Sequence, residues 1–326
     1  TQIIPGVTKD AVFRKGHIIR EEDIPVLLSV GKDSVYIWEN DETMMHENDA
    51  AEVLYRMTAN EHMHPSDVKE GKIEVIADTE GLLKVDREKL KKVNAFGEMM
   101  IATRHGNTVV KKGDKLAGTR IIPLVIKKDK MQEAEKICDG TPILKILPFT
   151  VKKAAIITTG NEVYHGRIKD AFTPVIEQKI AEFGAEMMFH EIFDDNDRKI
   201  TDGCLRAIEA GADIVFCTGG MSVDPDDKTP LAIKNTGAEM ISYGSPVLPG
   251  AMFLLSYYRK GDKVIPICGL PGCAMYNRRT IFDLVLPRLM AADPVTADEL
   301  ASLGEGGLCL NCKVCTFPNC GFGKGW

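Results

Sequence analysis

The chain has 326 residues and a formal net charge of −6, with 27% charged, 44% hydrophobic and 6% aromatic side chains. This length predicts roughly two domains of about 100–200 residues each, and the composition excludes a mainly disordered protein. The acidic charge argues against broad nucleic-acid binding, which needs a basic face, and no apolar run reaches the roughly 18 residues that a membrane span needs.

Residues 1–150 are expected to form an N-terminal, mainly β domain of mixed character. Short apolar stretches between turns predict strands at Asp33–Trp38, Lys72–Ala77, Gly97–Thr103 and Arg120–Ile126. One stretch, about Glu47–Met57, has its apolar residues at helical spacing. The highly charged segment Lys127–Glu135, followed by two prolines, indicates a domain junction near residue 150.

Residues 151–293 alternate between predicted strands and helices. The strands are Ala154–Thr158, Ala185–Ile192, Asp213–Cys217, Ala251–Tyr258 and Lys263–Cys268. Helices are predicted from Thr173-Pro174 to Gly184, from the aspartates at 194–197 to Gly211, from Thr229-Pro230, and over Ala274–Met290. This order implies right-handed crossovers and a three-layer α/β fold, in which a mostly parallel sheet carries helices on both faces.

Three of these strands end in glycine-containing loops. The loops are Thr158-Thr159-Gly160, Thr218-Gly219-Gly220 and Gly269-Leu270-Pro271-Gly272. In an open α/β sheet, ligands bind beyond the carboxyl ends of the strands, where glycine allows close backbone approach and helix N-termini offer N–H groups to anions. One such loop is explained by a tight turn alone. Three at one sheet edge indicate a binding site.

Carboxylates lie along the same edge. Glu162 follows the first loop, Asp195 follows the second strand, and Asp224, Asp226 and Asp227 follow Gly220. Carboxylates beside a phosphate site repel the ligand unless a hard cation intervenes, and Mg²⁺ held by carboxylates and substrate phosphates serves that purpose. The alternative interpretation is that these residues cap helices or form a solvated turn.

The three loops, in this order and spacing, resemble the motifs of the molybdopterin-binding domain. That domain is shared by the adenylyltransferases and molybdenumtransferases of molybdenum-cofactor biosynthesis. The resemblance implies a molybdopterin or adenylylated molybdopterin ligand, with Mg²⁺. It implies catalytic roles for Glu162, Asp195 and Asp227. The ligand-binding residues that it implies are Thr158, Thr159, Gly160, Asn161, Thr218, Gly219, Gly220, Ser222, Asp224, Leu270, Pro271 and Gly272.

The chain also departs from the transferases, so two functions stay open. Asp224-Pro225-Asp226-Asp227 stands where the molybdenumtransferases usually have Gly-Asp-Tyr-Asp, and Cys273 stands where they commonly have asparagine. We also expect no counterpart of their C-terminal β-domain, because the cysteine tail occupies its place. One function is Mg²⁺-dependent molybdenum insertion into adenylylated molybdopterin. The other is a non-catalytic molybdopterin carrier or a redox- or metal-responsive module. A homo-oligomer with no nucleic-acid or membrane partner is expected in either case.

Four cysteines cluster in the last segment, residues 294–326. Their spacing is Cys309-x2-Cys312-x2-Cys315-x4-Cys320, in a glycine-rich stretch with too few apolar residues for a core. A bound metal is therefore expected to order the segment. Structural zinc sites usually have two separated cysteine pairs, whereas three cysteines at this spacing are closer to a ferredoxin run. An iron–sulfur cluster, zinc, and a metal-free or disulfide-bonded tail remain alternatives.

The remaining cysteines indicate a reducing compartment. The total of nine is odd, and Cys138, Cys204, Cys217 and Cys268 stand singly in apolar or mixed stretches. Residues 1–20 lack the layout of a signal peptide, so we expect a cytoplasmic protein. The chain begins at Thr1, without a methionine, which predicts that a short N-terminal piece is missing.

Overall fold

The computed structural model describes residue 13 and residues 18–35 and 41–325. The chain divides into two units, Thr1–Met44 and Met45–Trp326. In the described part of the first unit, a 3₁₀ turn at Glu21–Asp23 leads into helix α1, Ile24–Ser29. The predicted strand Asp33–Trp38 lies partly outside the described residues, and residues 33–35 are not in a strand. In the described ranges, no helix is long and apolar enough to cross a bilayer.

Residues 44–147 contain short strands and three helices. The strands are β1 Met44–His46, β2 Met63–Pro65, β3 Lys72–Ala77, β4 Gly81–Val85, β5 Met99–Thr103, β6 Thr108–Val110, β7 Lys115–Ile121, β8 Val125–Lys127 and β9 Leu144–Leu147. The helices are α2 Glu47–Thr58, α3 Arg87–Asn94 and α4 Lys128–Cys138. Antiparallel sheets β2-β3-β7-β5 and β6-β4-β9 surround a core that includes Leu54, Ile73 and Leu83. The expected mainly β character of this region is confirmed.

Two details of this region differ from the sequence-based expectation. The predicted strand Arg120–Ile126 is wrong, because the chain turns between β7 and β8, where Ile122 is 61% exposed. From Lys128 onwards, the charged segment Lys127–Glu135 forms the start of α4, and Met131 and Ala134 are buried on the inner side of this helix. Its charges belong to the solvent face of an amphipathic helix, and the domain limit near residue 150 stays a prediction.

Residues 153–302 form the three-layer fold that the sequence predicts. The strands are β10 Lys153–Thr159, β11 Glu186–Phe193, β12 Ile214–Thr218, β13 Glu239–Tyr243, β14 Leu254–Lys260 and β15 Lys263–Leu270. The helices are α5 Asn161–Tyr164, α6 Phe172–Ala181, α7 Asp197–Glu209, α8 Thr229–Asn235, α9 Ile281–Met290 and α10 Ala297–Ser302. The sheet order is β11-β10-β12-β15-β14-β13, in which the first four strands are parallel and the β15-β14 and β14-β13 pairs are antiparallel.

Alternating side chains of the central strands face opposite layers. On β10, Ala154 and Ile156 pack in a core with residues of α6 and α9, whereas Ala155 and Ile157 pack with residues of α7 and α8. Because successive side chains of a strand point to opposite faces of the sheet, neighbouring residues of β10 pack in opposite layers. A central strand that is apolar on both faces therefore reads as a continuous hydrophobic run.

Two helix starts differ from the prediction. The carboxylate of Asp170 accepts hydrogen bonds from the backbone N–H groups of Phe172 and Thr173, so Asp170 provides the cap expected of Thr173. The predicted helix Ala274–Met290 begins only at Ile281. Thr280 is extended there, and its backbone N–H donates to Asp283 at 2.8 Å in a capping box.

The C-terminal tail, residues 303–325, packs on the three-layer fold. Phe322 is 5% exposed and belongs to the same core as α9. Leu248 donates from its N–H to the carbonyl of Gly307, and Cys309 donates back to the carbonyl of Leu248, each at 2.8 Å. A Cβ at Gly307 would lie 2.5 Å from the carbonyl oxygen of Pro246, so glycine is required at this approach. The tail is therefore ordered by packing, contrary to the expectation that a metal must order it.

Candidate functional site

The three glycine-containing loops lie at one edge of the sheet. Strands β10, β12 and β15 are parallel neighbours, with Thr158 opposite Thr218 and Thr218 opposite Leu270. The loop that leaves each strand therefore emerges at the same end, as the sequence predicts. This carboxyl-terminal edge is where open α/β sheets bind ligands.

A cavity of about 590 Å³ opens between the second and third loops, and we call it the loop cavity. Its lining includes the predicted residues Gly219, Gly220, Ser222, Asp227, Pro271 and Gly272. The lining also includes residues that sequence reasoning missed, namely Phe172 and the segment 248–252. The Pro249-Gly250 pair in that segment is a turn signal. The segment connects the antiparallel strands β13 and β14, so the rule for the ends of parallel strands does not point to it.

The threonines of the first two loops are buried and do not line the cavity. Thr158, Thr159 and Thr218 are each at most 4% exposed. The Thr159 hydroxyl donates to the carbonyl of Thr218 at 3.0 Å and contacts the hydroxyl of Thr229 at 3.0 Å. The Thr158 hydroxyl donates to Asp170 at 3.0 Å. The Thr159 side chain thus joins the first two loops, whereas the buried Thr218 hydroxyl has no hydrogen-bond partner among the described residues. Because all three side chains are buried, a ligand contact from these residues would come through the backbone.

The second loop can adopt its shape only with glycine. Gly219 has a φ of +81°, and a Cβ there would overlap the carbonyl oxygen of Thr159. Gly220 has a φ of +54°, and its Cβ would lie 2.9 Å from the Thr229 hydroxyl. The left-handed backbone and the close approach of the first loop together exclude larger residues.

The predicted catalytic carboxylates are electrostatically coupled. Asp195 accepts a hydrogen bond from the backbone N–H of Asn161 at 3.1 Å. Burial raises the pKa of Asp195, and the nearby charges of Glu162, Asp226 and Asp227 raise it further, against the effect of that hydrogen bond. The first loop, the end of β11 and the 224–227 turn thus bring negative charge together beside the loop cavity.

Other contacts fix the 224–227 turn. The carboxylate of Asp227 accepts from the backbone N–H of Asp224 at 3.0 Å. The hydroxyl of Tyr243 donates to the carbonyl of Met221 at 3.0 Å, and burial followed by the charge of Asp227 raises the pKa of Tyr243. Within the described ranges, no three His, Cys, Asp or Glu side chains converge closely enough to hold a metal ion.

Residues 155–291 match the family model described as a probable molybdopterin binding domain. This segment belongs to that molybdopterin-binding family. The resemblance carried by the three loops is thereby confirmed for this part of the chain. Residues 1–39 match a second model, described as a domain of unknown function.

Curated relatives match the chain over part of their length. The chain is 30% identical over 129 residues to a protein named as competence-damage inducible from Bacillus cereus, and the match covers 40% of this chain and 30% of the relative. A protein of the same name from Bacillus subtilis is 32% identical over 85 residues, which are 26% of this chain and 20% of the relative. The chain thus spans less than a third of these relatives.

Solved structures are similar to the molybdopterin-binding domain. The tungsten cofactor synthesizing protein MoaB from Pyrococcus furiosus is 18% identical, with a TM-score of 0.37, over 44% of this chain and 98% of that protein. The molybdopterin biosynthesis enzyme MoaB from Thermus thermophilus is 19% identical, with a TM-score of 0.34, over 44% and 98% respectively.

A second cavity, of about 550 Å³, lies beside the molybdopterin-binding domain where the tail packs. Its lining includes all four tail cysteines, Cys309, Cys312, Cys315 and Cys320. Arg278 and Arg279, which follow the third loop, also line it. We call it the cysteine cavity. The sequence predicted that the thiols cluster, but not that two arginines of the domain face the same space.

Proposed function

We propose that the loop cavity binds molybdopterin or its adenylylated form, with the phosphate of the ligand against the glycine loops. The observation that carries this proposal is that Gly219–Ser222 and Pro271–Gly272 line one cavity of about 590 Å³ at the ends of parallel strands. Small-molecule sites typically measure about 300–1,000 Å³. Glycine at 219 and 220 leaves the backbone accessible to an anion.

Mg²⁺ belongs to the same proposal. Glu162 and Asp227 would hold the ion, because Mg²⁺ usually takes one or two carboxylates and completes its shell with substrate phosphates and water. Burial is the largest cause of the raised pKa of Asp195, and the charges of Glu162, Asp226 and Asp227 add to it; a cation would offset that charge contribution. When bound, Mg²⁺ supplies charge neutralisation at the phosphate. Asp195 positions the first loop through the N–H of Asn161.

Two reactions fit this ligand class. In molybdenum insertion, molybdate enters at the dithiolene of adenylylated molybdopterin and AMP leaves. A carrier would hold the pterin without releasing AMP. The 224–227 turn favours the carrier for two reasons. The carboxylate of Asp227 already accepts a hydrogen bond from the backbone N–H of Asp224. In addition, Pro225 stands where the transferase pattern has an acidic residue.

The tail belongs to the proposal as a metal site. We infer that the thiols of Cys309, Cys312, Cys315 and Cys320 bind a metal, because thiolates are strong ligands for zinc and for iron–sulfur clusters. In the described residues no three of them converge as metal ligands do, so the proposal rests on their chemistry and their spacing. All four line the cysteine cavity.

Gly272→Val tests the pterin site. A Cβ built at Gly272 meets no atom of the described residues within 4 Å, so the variant should fold. Gly118→Val is the matched control, because its Cβ is equally free and Gly118 lies in β7, outside the loop cavity. We expect pterin affinity to fall at least about tenfold, or ~1.4 kcal/mol, in the first variant alone. Equal affinities in both variants and in the original protein would contradict the site.

The reaction is tested separately with adenylylated molybdopterin, Mg²⁺ and molybdate. Release of AMP over repeated catalytic turnovers supports molybdenum insertion. Pterin binding without AMP release supports the carrier. Replacing Asp227 by Asn should abolish AMP release in the first case while pterin binding persists.

A further inference from the structure

Three basic side chains line a cavity between the tail and the end of β5, and we call it the basic cavity. Arg104 and His105 directly follow β5, and Lys324 belongs to the tail. Among the described residues that line this cavity, none is acidic. The chain as a whole has a net charge of −6, so this wall differs in sign from the average surface of the protein.

The ammonium group of Lys324 has no counter-ion in the described part of the chain. Lys324 is partly buried, yet its side chain forms no ion pair and no hydrogen bond with residues 18–35 or 41–325. Burial of a charged group without a partner is unfavourable. A bound anion would remove that cost.

Arg104 is only partly neutralised. Its Nη1 lies 2.7 Å from a carboxylate oxygen of Asp114. A guanidinium group has five N–H donors in a planar fork, so this ion pair leaves donors for a second anion.

The backbone on both sides of Lys324 is fixed by packing. A Cβ at Gly323 would lie 2.3 Å from a methyl carbon of Leu284, so glycine is required where the tail approaches α9. On the other side, the Arg87 guanidinium donates to the carbonyl of Gly325 at 3.4 Å. An ordered segment therefore carries the ammonium group of Lys324 to the basic cavity.

The positive charges of this region act on one another. Partial burial lowers the pKa of His105, and the charges of Lys324 and Arg87 lower it further, against the effect of backbone hydrogen bonds. Burial also lowers the pKa of Lys324, and the charge of Arg104 acts in the same direction. Because like charges disfavour the protonated forms, these shifts are consistent with positive charge that the described residues leave uncompensated.

We infer that Arg104, His105 and Lys324 bind a tetrahedral oxyanion, either free phosphate or sulfate or the phosphate group of a monoester. Guanidinium groups bind such anions as a planar fork, and ammonium groups bind them as a point charge. The anion would join the end of β5 to the tail. This site is separate from the proposed pterin site, because none of the three residues lines the loop cavity.

The experiment measures the binding of inorganic phosphate, sulfate and glycerol phosphate to the full chain by isothermal titration calorimetry. A chelator is present, so that no anion binds through a metal. Lys324→Met removes the charge of a side chain that has no partner to lose in the described residues, so the variant should fold. Lys313→Met is the matched control, because Lys313 is an exposed lysine of the same tail that does not line the basic cavity.

A second measurement locates the bound anion. Protein labelled at histidine is titrated with each anion and followed by nuclear magnetic resonance, and the resonances of the His105 ring are assigned with His105→Gln. These resonances report on the basic cavity, so an anion that binds only in the loop cavity is not counted.

We expect Lys324→Met to weaken anion binding at least about tenfold, because a hydrogen bond to a charged group typically contributes that factor. The control should stay within about twofold of the original protein. The anion should shift the His105 resonances in the original protein and in the control, but not in Lys324→Met. Tighter binding of phosphate or sulfate identifies a free anion as the ligand, whereas tighter binding of glycerol phosphate identifies a monoester. Equal affinities in Lys324→Met and the original protein would overturn the inference, as would His105 resonances that respond to none of the three anions.

Discussion

Phe322→Ala tests whether the tail is part of the folded domain. The Phe322 ring is 5% exposed, shares a core with Leu286 and Leu289 of α9, and lies 6.2 Å from the Phe317 ring between centroids. Removing the ring exposes apolar surface to water and leaves a cavity. If the tail were a separate segment, the same substitution would cost almost nothing.

The magnitude follows from the buried surface. A buried aromatic side chain covers about 150–250 Å², which at about 25 cal/mol per Å² corresponds to roughly 4–6 kcal/mol. Alanine retains a small part of this, and measured losses for Phe→Ala in cores are about 3–5 kcal/mol. We expect the free energy of unfolding to fall by about 3 kcal/mol, because a chain end can partly close the cavity.

The assay is urea unfolding followed by circular dichroism, on metal-free protein so that ligand binding does not contribute. The matched control is Val314→Ala, because Val314 lies in the same tail and is 76% exposed. Its effect should stay within about 0.5 kcal/mol. If Phe322→Ala is as mild as the control, the tail does not contribute to the core and the packing described above is incorrect.

Two pH-dependent predictions concern carboxylates near the site. Burial and then the charges of Glu162 and Asp227, among others, raise the pKa of Asp195 in the folded state, so its contribution to stability is lost as pH rises above about 4. Asp195→Asn should therefore raise the melting temperature of ligand-free protein at pH 7 but not at pH 3.5, and an equal effect at both would contradict the coupling. Burial alone would raise the pKa of Asp170, but hydrogen bonds from Thr173 and its neighbours outweigh burial and lower that pKa. The stabilisation that ionised Asp170 gives to the folded state is therefore present at neutral pH and is lost as pH falls below about 4. Asp170→Asn should cost about 1.5–3 kcal/mol at pH 7 and progressively less in acid urea titrations, and a constant cost would show that charge is not involved.

The local sequence was sufficient for the parallel strands and their loops. Runs such as Ala154–Thr158 are apolar on both faces, and a glycine-containing loop follows three of the four parallel strands, so strand ends could be placed within one or two residues. Since parallel strands expose their carboxyl ends at one edge, the edge that carries Gly219, Gly220 and Gly272 could be predicted without coordinates. The limits of the domains at residues 150 and 293 stay a prediction, as do the cytoplasmic location and the homo-oligomer.

What the sequence could not decide is which side chains face the ligand space. Thr158 and Thr218 belong to the expected motif, yet they are buried, because the last residues of a central strand still lie between two layers of helices. The 248–252 segment enters the loop cavity from an antiparallel hairpin region, and no local signal relates it to the parallel strands.

The packing of the C-terminal tail could not be predicted from its sequence either. Its composition contains too few apolar residues for a core of its own, and the sequence therefore predicted that it needs a metal. In the structure, Phe322 enters the core of the three-layer fold, and glycine at 307 allows backbone pairing with Leu248. Burial against a distant segment depends on how the whole chain folds back on itself, which neither periodicity nor spacing records. Only the tertiary structure brings Arg278, Arg279 and the four thiols to one cavity.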